Sequence, residues 1–220
     1  MLCSHVLAAG YPTLDLHEST VEDVLALQEE KNILSFPVLD NEELIGILSV
    51  KDVLHLPEST IINSLQHLYF KSVVSENDFF YTALRVMNIT DNIVPVTDIY
   101  NKYRGTISQQ SLLQALHTFL DISTGNDGII VMEINKINYS FSEIARLVES
   151  CKANILQLNT YFDTQNELFI ITIKVNRSNI SEIVSTLQRH DYLITYYFGE
   201  EKFENEIKRN YDELMNYLNI

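Results

Sequence analysis

Apolar positions in the first half of the chain fall into two copies of one pattern. The run Phe36-Pro37-Val38-Leu39-Asp40 returns fifty-eight residues later as Val94-Pro95-Val96-Thr97-Asp98. Short apolar runs of this kind, bounded by turn residues, predict buried strands. Each is followed by a polar turn, a second short strand containing a glycine, and an amphipathic stretch. In the first copy Leu44-Ile45-Gly46-Ile47-Leu48-Ser49 leads into Val50-Lys51-Asp52-Val53-Leu54. In the second, Tyr103-Arg104-Gly105-Thr106-Ile107-Ser108 leads into Gln109-Gln110-Ser111-Leu112-Leu113. Upstream, Thr20 is expected to cap a helix over Val21 to Gln28, where Val21, Val24, Leu25 and Gln28 share helical spacing, and Asp78 to cap one over Phe79 to Met87. Each unit therefore reads strand, helix, strand, turn, strand, helix, with copies at about 10–57 and 68–122 inside a domain spanning 1–124.

The turn-rich Gly125-Asn126-Asp127-Gly128 marks the boundary to a second domain over 126–199. Its pattern predicts a strand over Ile129 to Ile134, a helix over Phe141 to Cys151 and a strand over Asn154 to Phe162. A hairpin turn at Asp163-Thr164-Gln165-Asn166 precedes a strand over Leu168 to Val175, a helix over Ile180 to His190 and a strand over Tyr192 to Phe198. That order is the ferredoxin-like one. Ile144, Leu147 and Val148, then Ile180, Ile183, Val184 and Leu187, give the two helices apolar stripes for one sheet face. Residues 200–220 predict a last amphipathic helix with Phe203, Ile207, Tyr211, Leu214 and Leu218 on one side, for packing on its own domain or on a second copy.

Charge narrows the range of partners. A formal charge of −15 repels phosphate backbones, and the cations are scattered singly among acids, so no nucleic-acid partner is expected. No apolar run has the length of a membrane span, and Met1-Leu2-Cys3-Ser4-His5 lacks the features of a signal peptide, so a cytoplasmic location is expected. Cys3 and Cys151 stand far apart, which fits a reducing compartment. The histidines, His5, His17, His55, His67, His117 and His190, show no metal-ligand spacing. Nucleophile elbows and phosphate-binding glycine loops are missing among six glycines, and no enzyme activity, metal or required cofactor is expected.

One motif does carry candidate binding chemistry. Gly46 sits within a strand, where a missing side chain implies close approach of another group. Ser49 ends that strand and can cap the helix beginning at Val50, and Asp52 lies in the first turn, where a carboxylate can accept from two ribose hydroxyls. Cap and first-turn acid are equally good helix chemistry without a ligand. The second copy keeps Ser108 but has Ser111 in the place of Asp52, so its site is expected to be vacant or differently used. Lys51, Lys102 and Arg104 could reach a phosphate or simply be solvated.

The unit order, the hydrophobic-Pro-Val strand and the Gly46, Ser49, Asp52 run resemble the CBS repeat over residues 10 to 120. The resemblance implies a pair packed about a pseudo-twofold axis, with an adenosine-type nucleotide (AMP, ADP, ATP or a relative) bound near Gly46, Ser49, Asp52, Phe36 and Pro37. The stretch Ser142-Glu143-Ile144-Ala145-Arg146-Leu147-Val148-Glu149-Ser150, followed by Asn154-Ile155, resembles an ACT domain across 128–199. That family implies amino-acid binding at the loop Asn135 to Ser140, here without a glycine, or sheet extension across a dimer. The whole order is similar to CBS–CBS–ACT proteins associated with acetoin utilisation. The expectation is an α/β (α+β) chain: a CBS pair, then a ferredoxin-like ACT domain, then a C-terminal helix. It would act as a non-catalytic regulatory sensor, homodimeric and acting on an unidentified regulated protein. A ligand-free dimerisation or protein-interaction scaffold is one alternative, and amino-acid sensing is the other.

Overall fold

The computed structural model describes residues 1–87, 92–122, 127–135 and 139–199. Contacts divide the chain into two compact units, Met1–Ile122 and Ser123–Ile220. The architecture is mixed α and β throughout.

In the first unit, β1 (Leu14–Asp15), α1 (Val21–Lys31), β2 (Ser35–Asp40), β3 (Glu43–Ser49) and α2 (Val50–Val53) form the first repeat. The second comprises β4 (Val74–Ser75), α3 (Tyr81–Met87), β5 (Ile93–Thr97), β6 (Tyr103–Ser108) and α4 (Gln109–Phe119). Each makes a three-stranded sheet, β1-β2-β3 and β4-β5-β6, parallel on one side of the middle strand and antiparallel on the other. Proline is tolerated in both middle strands for a local reason. Pairing with the short first strand begins only after it, at Leu14↔Val38 and Val74↔Val96, so Pro37 and Pro95 have a single neighbouring strand.

Each sheet has a core on its helix side. Val21, Val24, Phe36, Val38, Leu48, Val53 and Ile62 fill the first, and Phe80, Ala83, Val94, Val96, Ile107 and Leu112 the second. Burying side chains of this size contributes about 1.5–3 kcal/mol each.

The two repeats exchange arms. The segment before the first repeat packs on the second: Cys3 N donates to Asp78 O at 2.8 Å, Ala8 N donates to Thr106 O at 2.8 Å, and Cys3 and Val6 belong to the second core. The segment joining the repeats returns the contact, with Ile47 N to Phe70 O at 2.9 Å and Phe70 N to Ile47 O at 3.2 Å. The glycines mark both crossings. A Cβ on Gly46 would stand 2.9 Å from Tyr69 Cβ, and one on Gly105 2.9 Å from Leu7 Cδ1.

One helix start differs from expectation and one agrees with it. Helix α3 begins at Tyr81, and Asp78 instead accepts from Ser75 N at 3.0 Å, tightening the turn after β4. Helix α1 starts at Val21 with Thr20 as its N-cap, as expected, in a capping box in which the Asp23 carboxylate accepts from Thr20 N, and it runs on past Gln28 to Lys31.

The second unit contains β7 (Gly128–Asn135), α5 (Phe141–Ser150), β8 (Ile155–Asp163), β9 (Leu168–Val175), α6 (Ser181–Arg189) and β10 (Leu193–Phe198). Its antiparallel sheet has the order β10-β7-β9-β8, the ferredoxin-like arrangement. Ile130, Met132, Ile171 and Ile173 meet Ile144, Leu147, Ile183 and Leu187 in one core. The expected break around Gly125 lies largely at 123–126, and the expected tail helix at 200–220, both outside the described residues.

Candidate functional site

The middle strands of the first unit turn one face to the cores and the other away from them. On the first sheet the second face carries Ser35 and Pro37 of β2 opposite Ser49 and Ile47 of β3, all four buried. On the second it carries Ile93 and Pro95 opposite Ser108 and Thr106. The copies thus differ at two places: Ser35 stands where the other has Ile93, and Ile47 where the other has Thr106.

Hydroxyl pairing separates them further. In the second repeat every one of these hydroxyls is satisfied internally. Thr106 Oγ1 meets the Tyr103 hydroxyl at 2.7 Å. Ser108 Oγ accepts from Ser111 N at 3.1 Å while Ser111 Oγ accepts from Ser108 N at 3.0 Å, a reciprocal cap on α4. In the first repeat Ser49 makes no cap on α2. Its hydroxyl donates to Leu34 O at 3.4 Å, and it is 2% exposed. The expectation of a Ser49 cap is corrected here: α2 is a single turn, and the Leu34 carbonyl already binds Val50 N at 2.9 Å beside it. Ser35 Oγ is buried and has no partner.

The other residues singled out in the sequence lie as follows. Asp52 is on the exposed side of α2, with Lys51. Phe36 is fully buried in the helix-side core, so its ring supports the sheet rather than facing the Ser35 side. Pro37 is on the Ser35 side. Gly46 does admit a close neighbour, but that neighbour is the Tyr69–Phe70 arm. Tyr69 itself donates to Ile62 O at 2.5 Å, and burial pushes its phenol up to about 12. Lys102 pairs with Glu42 at 2.7 Å and Arg104 with Asp98 at 2.8 Å, so both cations are engaged within the protein, and the Lys102 bond holds the Glu42 carboxyl below its ordinary range.

A cleft of about 490 Å³ opens beside the second motif. Its walls are the arm Ala8–Pro12, the α1–β2 turn from Lys31 to Leu34, and Asn92, Ile93, Ser108, Gln109 and Gln110. Tyr11 anchors the arm by donating to Ser35 O at 3.0 Å, and burial raises its phenol well above the ordinary value. Residues 88–91, between α3 and β5, lie outside the described residues.

In the second unit a hollow of about 400 Å³ is lined by Glu133, Asn135, Glu143, His190, Asp191 and Tyr192. Tyr192 donates to Glu143 Oε2 at 3.2 Å, and burial and that carboxylate push its phenol up to about 12. Three carboxylates around one hollow oppose an α-carboxylate ligand. Part of the loop named for amino acids, 136–138, is outside the described residues. Among the described residues no group of histidines, cysteines and acids is placed to hold a metal, and no helix is long and apolar enough to cross a membrane.

The CBS domain family matches residues 5–59, which contain Ser35, Gly46, Ser49 and Asp52. A curated relative, an uncharacterized protein of Methanocaldococcus jannaschii, is 31% identical over 100 residues, 44% of this chain. The match spans only 38% of that relative's length. Among solved structures, a CBS domain pair/ACT domain protein of Thermotoga maritima is 20% identical over 55% of this chain and 99% of its own, with a TM-score of 0.49. The CBS domain of a bacterial CNNM/CorC family Mg2+ transporter, solved in complex with ATP, is 17% identical over 52% of this chain and 85% of its own, with a TM-score of 0.43.

Proposed function

We propose that the chain is a non-catalytic regulatory module whose first unit binds an adenosine-type nucleotide at the first motif, beside Ser49 and Asp52. The observation that carries this reading is the unequal pairing of the two motifs. Ser108 and Ser111 bond to each other and Thr106 to Tyr103, and a serine stands where the first motif has its carboxylate. Beside the first motif stand an exposed carboxylate, a long Ser49 bond and an unpaired Ser35 hydroxyl. A carboxylate accepting from a ribose diol makes two charge-assisted bonds, which neutral serines do not match. The CBS match over this motif supports the same ligand class.

The second unit serves assembly in this reading. It has the element order of an ACT domain. Its edge strands β8 and β10 have no further strand partner among the described residues, and Leu156, Tyr161, Leu193, Tyr196 and Phe198 are exposed. Such edges need cover, and a second copy of the chain supplies it. The homodimer then relays nucleotide occupancy to a regulated protein in the cytosol, where the unpaired thiols of Cys3 and Cys151 stay reduced.

A thermal-shift series with AMP, ADP, ATP and free amino acids tests the ligand class. A nucleotide at a hundred times its dissociation constant adds about 2.7 kcal/mol of stability and raises the midpoint. Amino acids should leave it unmoved. If no nucleotide shifts the midpoint at millimolar concentration, the chain is a scaffold.

A further inference from the structure

We propose that residues 200–220 dock as a single helix on the open face of the second unit's sheet, along β7 and β10. This docking is independent of the nucleotide reading, and it leaves the edges of β8 and β10 to the second copy.

Alternation along the strands sorts the two faces. Ile130 and Met132 of β7, with Ile194 and Tyr197 of β10, turn to the core that α5 and α6 complete. Ile129 and Val131, with their ladder partners Phe198 and Tyr196, turn the other way. Leu193 extends the row on β10, beside Glu133 at the far end. Ile129, Leu193, Tyr196 and Phe198 are exposed, and Val131 is half-buried. Large apolar side chains gathered on one sheet face call for cover.

The shape and polarity of this strip choose the occupant. Two adjacent strands are about 10 Å across, the width of one helix. The other half of the same face is polar, with Gln157 and Asn159 on β8 and Thr172 and Lys174 on β9. The lysine is ion-paired with Asp127 at 3.0 Å. A second sheet laid over the whole face would bury those groups, whereas one helix along β7 and β10 leaves them at the surface.

The chain carries such a helix next to the strip. Gly199 follows Phe198, and a Cβ there would overlap Ser178 O and crowd Ile180. The helix side of the strand end is therefore filled, and the free way out is toward the open face. Residues 200–220, outside the described residues, place Phe203, Ile207, Tyr211, Leu214 and Leu218 at helical spacing, with Arg209, Asp212 and Glu213 on the opposite side. Those five apolar residues span about 22 Å of helix, and β10 is about 20 Å long. A turn at 199–202 is enough to bring the stripe back along β10.

The protein has no tryptophan, so Phe198→Trp in the full chain places a single reporter in the strip. Its emission should be blue-shifted, weakly quenched by acrylamide, and unchanged on dilution through the range where the dimer dissociates. Adding Leu214→Asp should move the emission to the red and raise quenching several-fold. Adding Asp212→Ala, off the stripe, should leave both unchanged. Tyr196→Trp is a second reporter with the same expected pattern, should the first variant fold poorly. A red emission in the full chain, or one that Leu214→Asp does not move, overturns the docking. Emission that turns red on dilution gives the strip to a second copy and overturns it as well. None of these outcomes touches nucleotide binding, which the thermal-shift series reads separately.

Discussion

The two repeats of the first unit share a backbone plan and differ in how their polar groups are spent. Both have a proline-containing middle strand, a register shift one residue after the central valine, and a glycine under the other repeat's arm. Yet the second closes every hydroxyl of its motif into its own structure, and the first leaves one unpaired and another on a 3.4 Å bond. Duplicated architecture therefore does not imply duplicated hydrogen bonding. One copy has become a stable cap for an eleven-residue helix, and the other keeps its bonding capacity beside a carboxylate.

The largest effects should come from what the copies share. Phe36→Ala and Phe80→Ala each empty a fully buried position and should cost about 3–5 kcal/mol. Because the arms are exchanged, each variant should unfold the whole pair in a single urea transition. Two separated transitions would mean that the repeats are independent.

Next comes the cap. Ser111→Ala removes the reciprocal bond with Ser108 and should lower stability by about 0.5–2 kcal/mol. Nucleotide affinity should stay the same. Ser49→Ala deletes no cap and should cost less than Ser111→Ala in the same denaturation assay. The reverse order would break the comparison.

The smallest effect belongs to the charges where the repeats meet. Lys102→Ala breaks the exposed pair with Glu42, and the urea midpoint should hardly move at moderate salt. A marked loss there would show that this pair, and not the exchanged arms, joins the repeats.

Much of this plan was legible in the sequence because it is local. The repeated Pro-Val strands, the glycines and the amphipathic runs gave both repeats and all four strands of the second unit to within a residue or two at most ends. Arm exchange was not legible, since Leu7 meets Gly105 and Tyr69 meets Gly46 across distances that no periodicity records. Gly46 was rightly read as a close approach, but the chain itself supplies the neighbour. The unequal pairing at Ser35 had a visible signal: aligning the two copies sets Ser35 against Ile93, a polar residue against an apolar one. Asp78 misled because an acid before a helix looks like a cap, whereas its carboxylate binds backward to Ser75.

The central claim is one nucleotide per chain, held at the first motif. Calorimetric titration of AMP into wild type, Asp52→Ala and Gln110→Ala tests it most directly, since Gln110 lines the other cleft. The account predicts one site per chain and a roughly tenfold to hundredfold loss for Asp52→Ala, from about 1.5–3 kcal/mol of charge-assisted bonding. Gln110→Ala should leave affinity unchanged. Two equivalent sites per chain, or a loss from Gln110→Ala as large as that from Asp52→Ala, would contradict it.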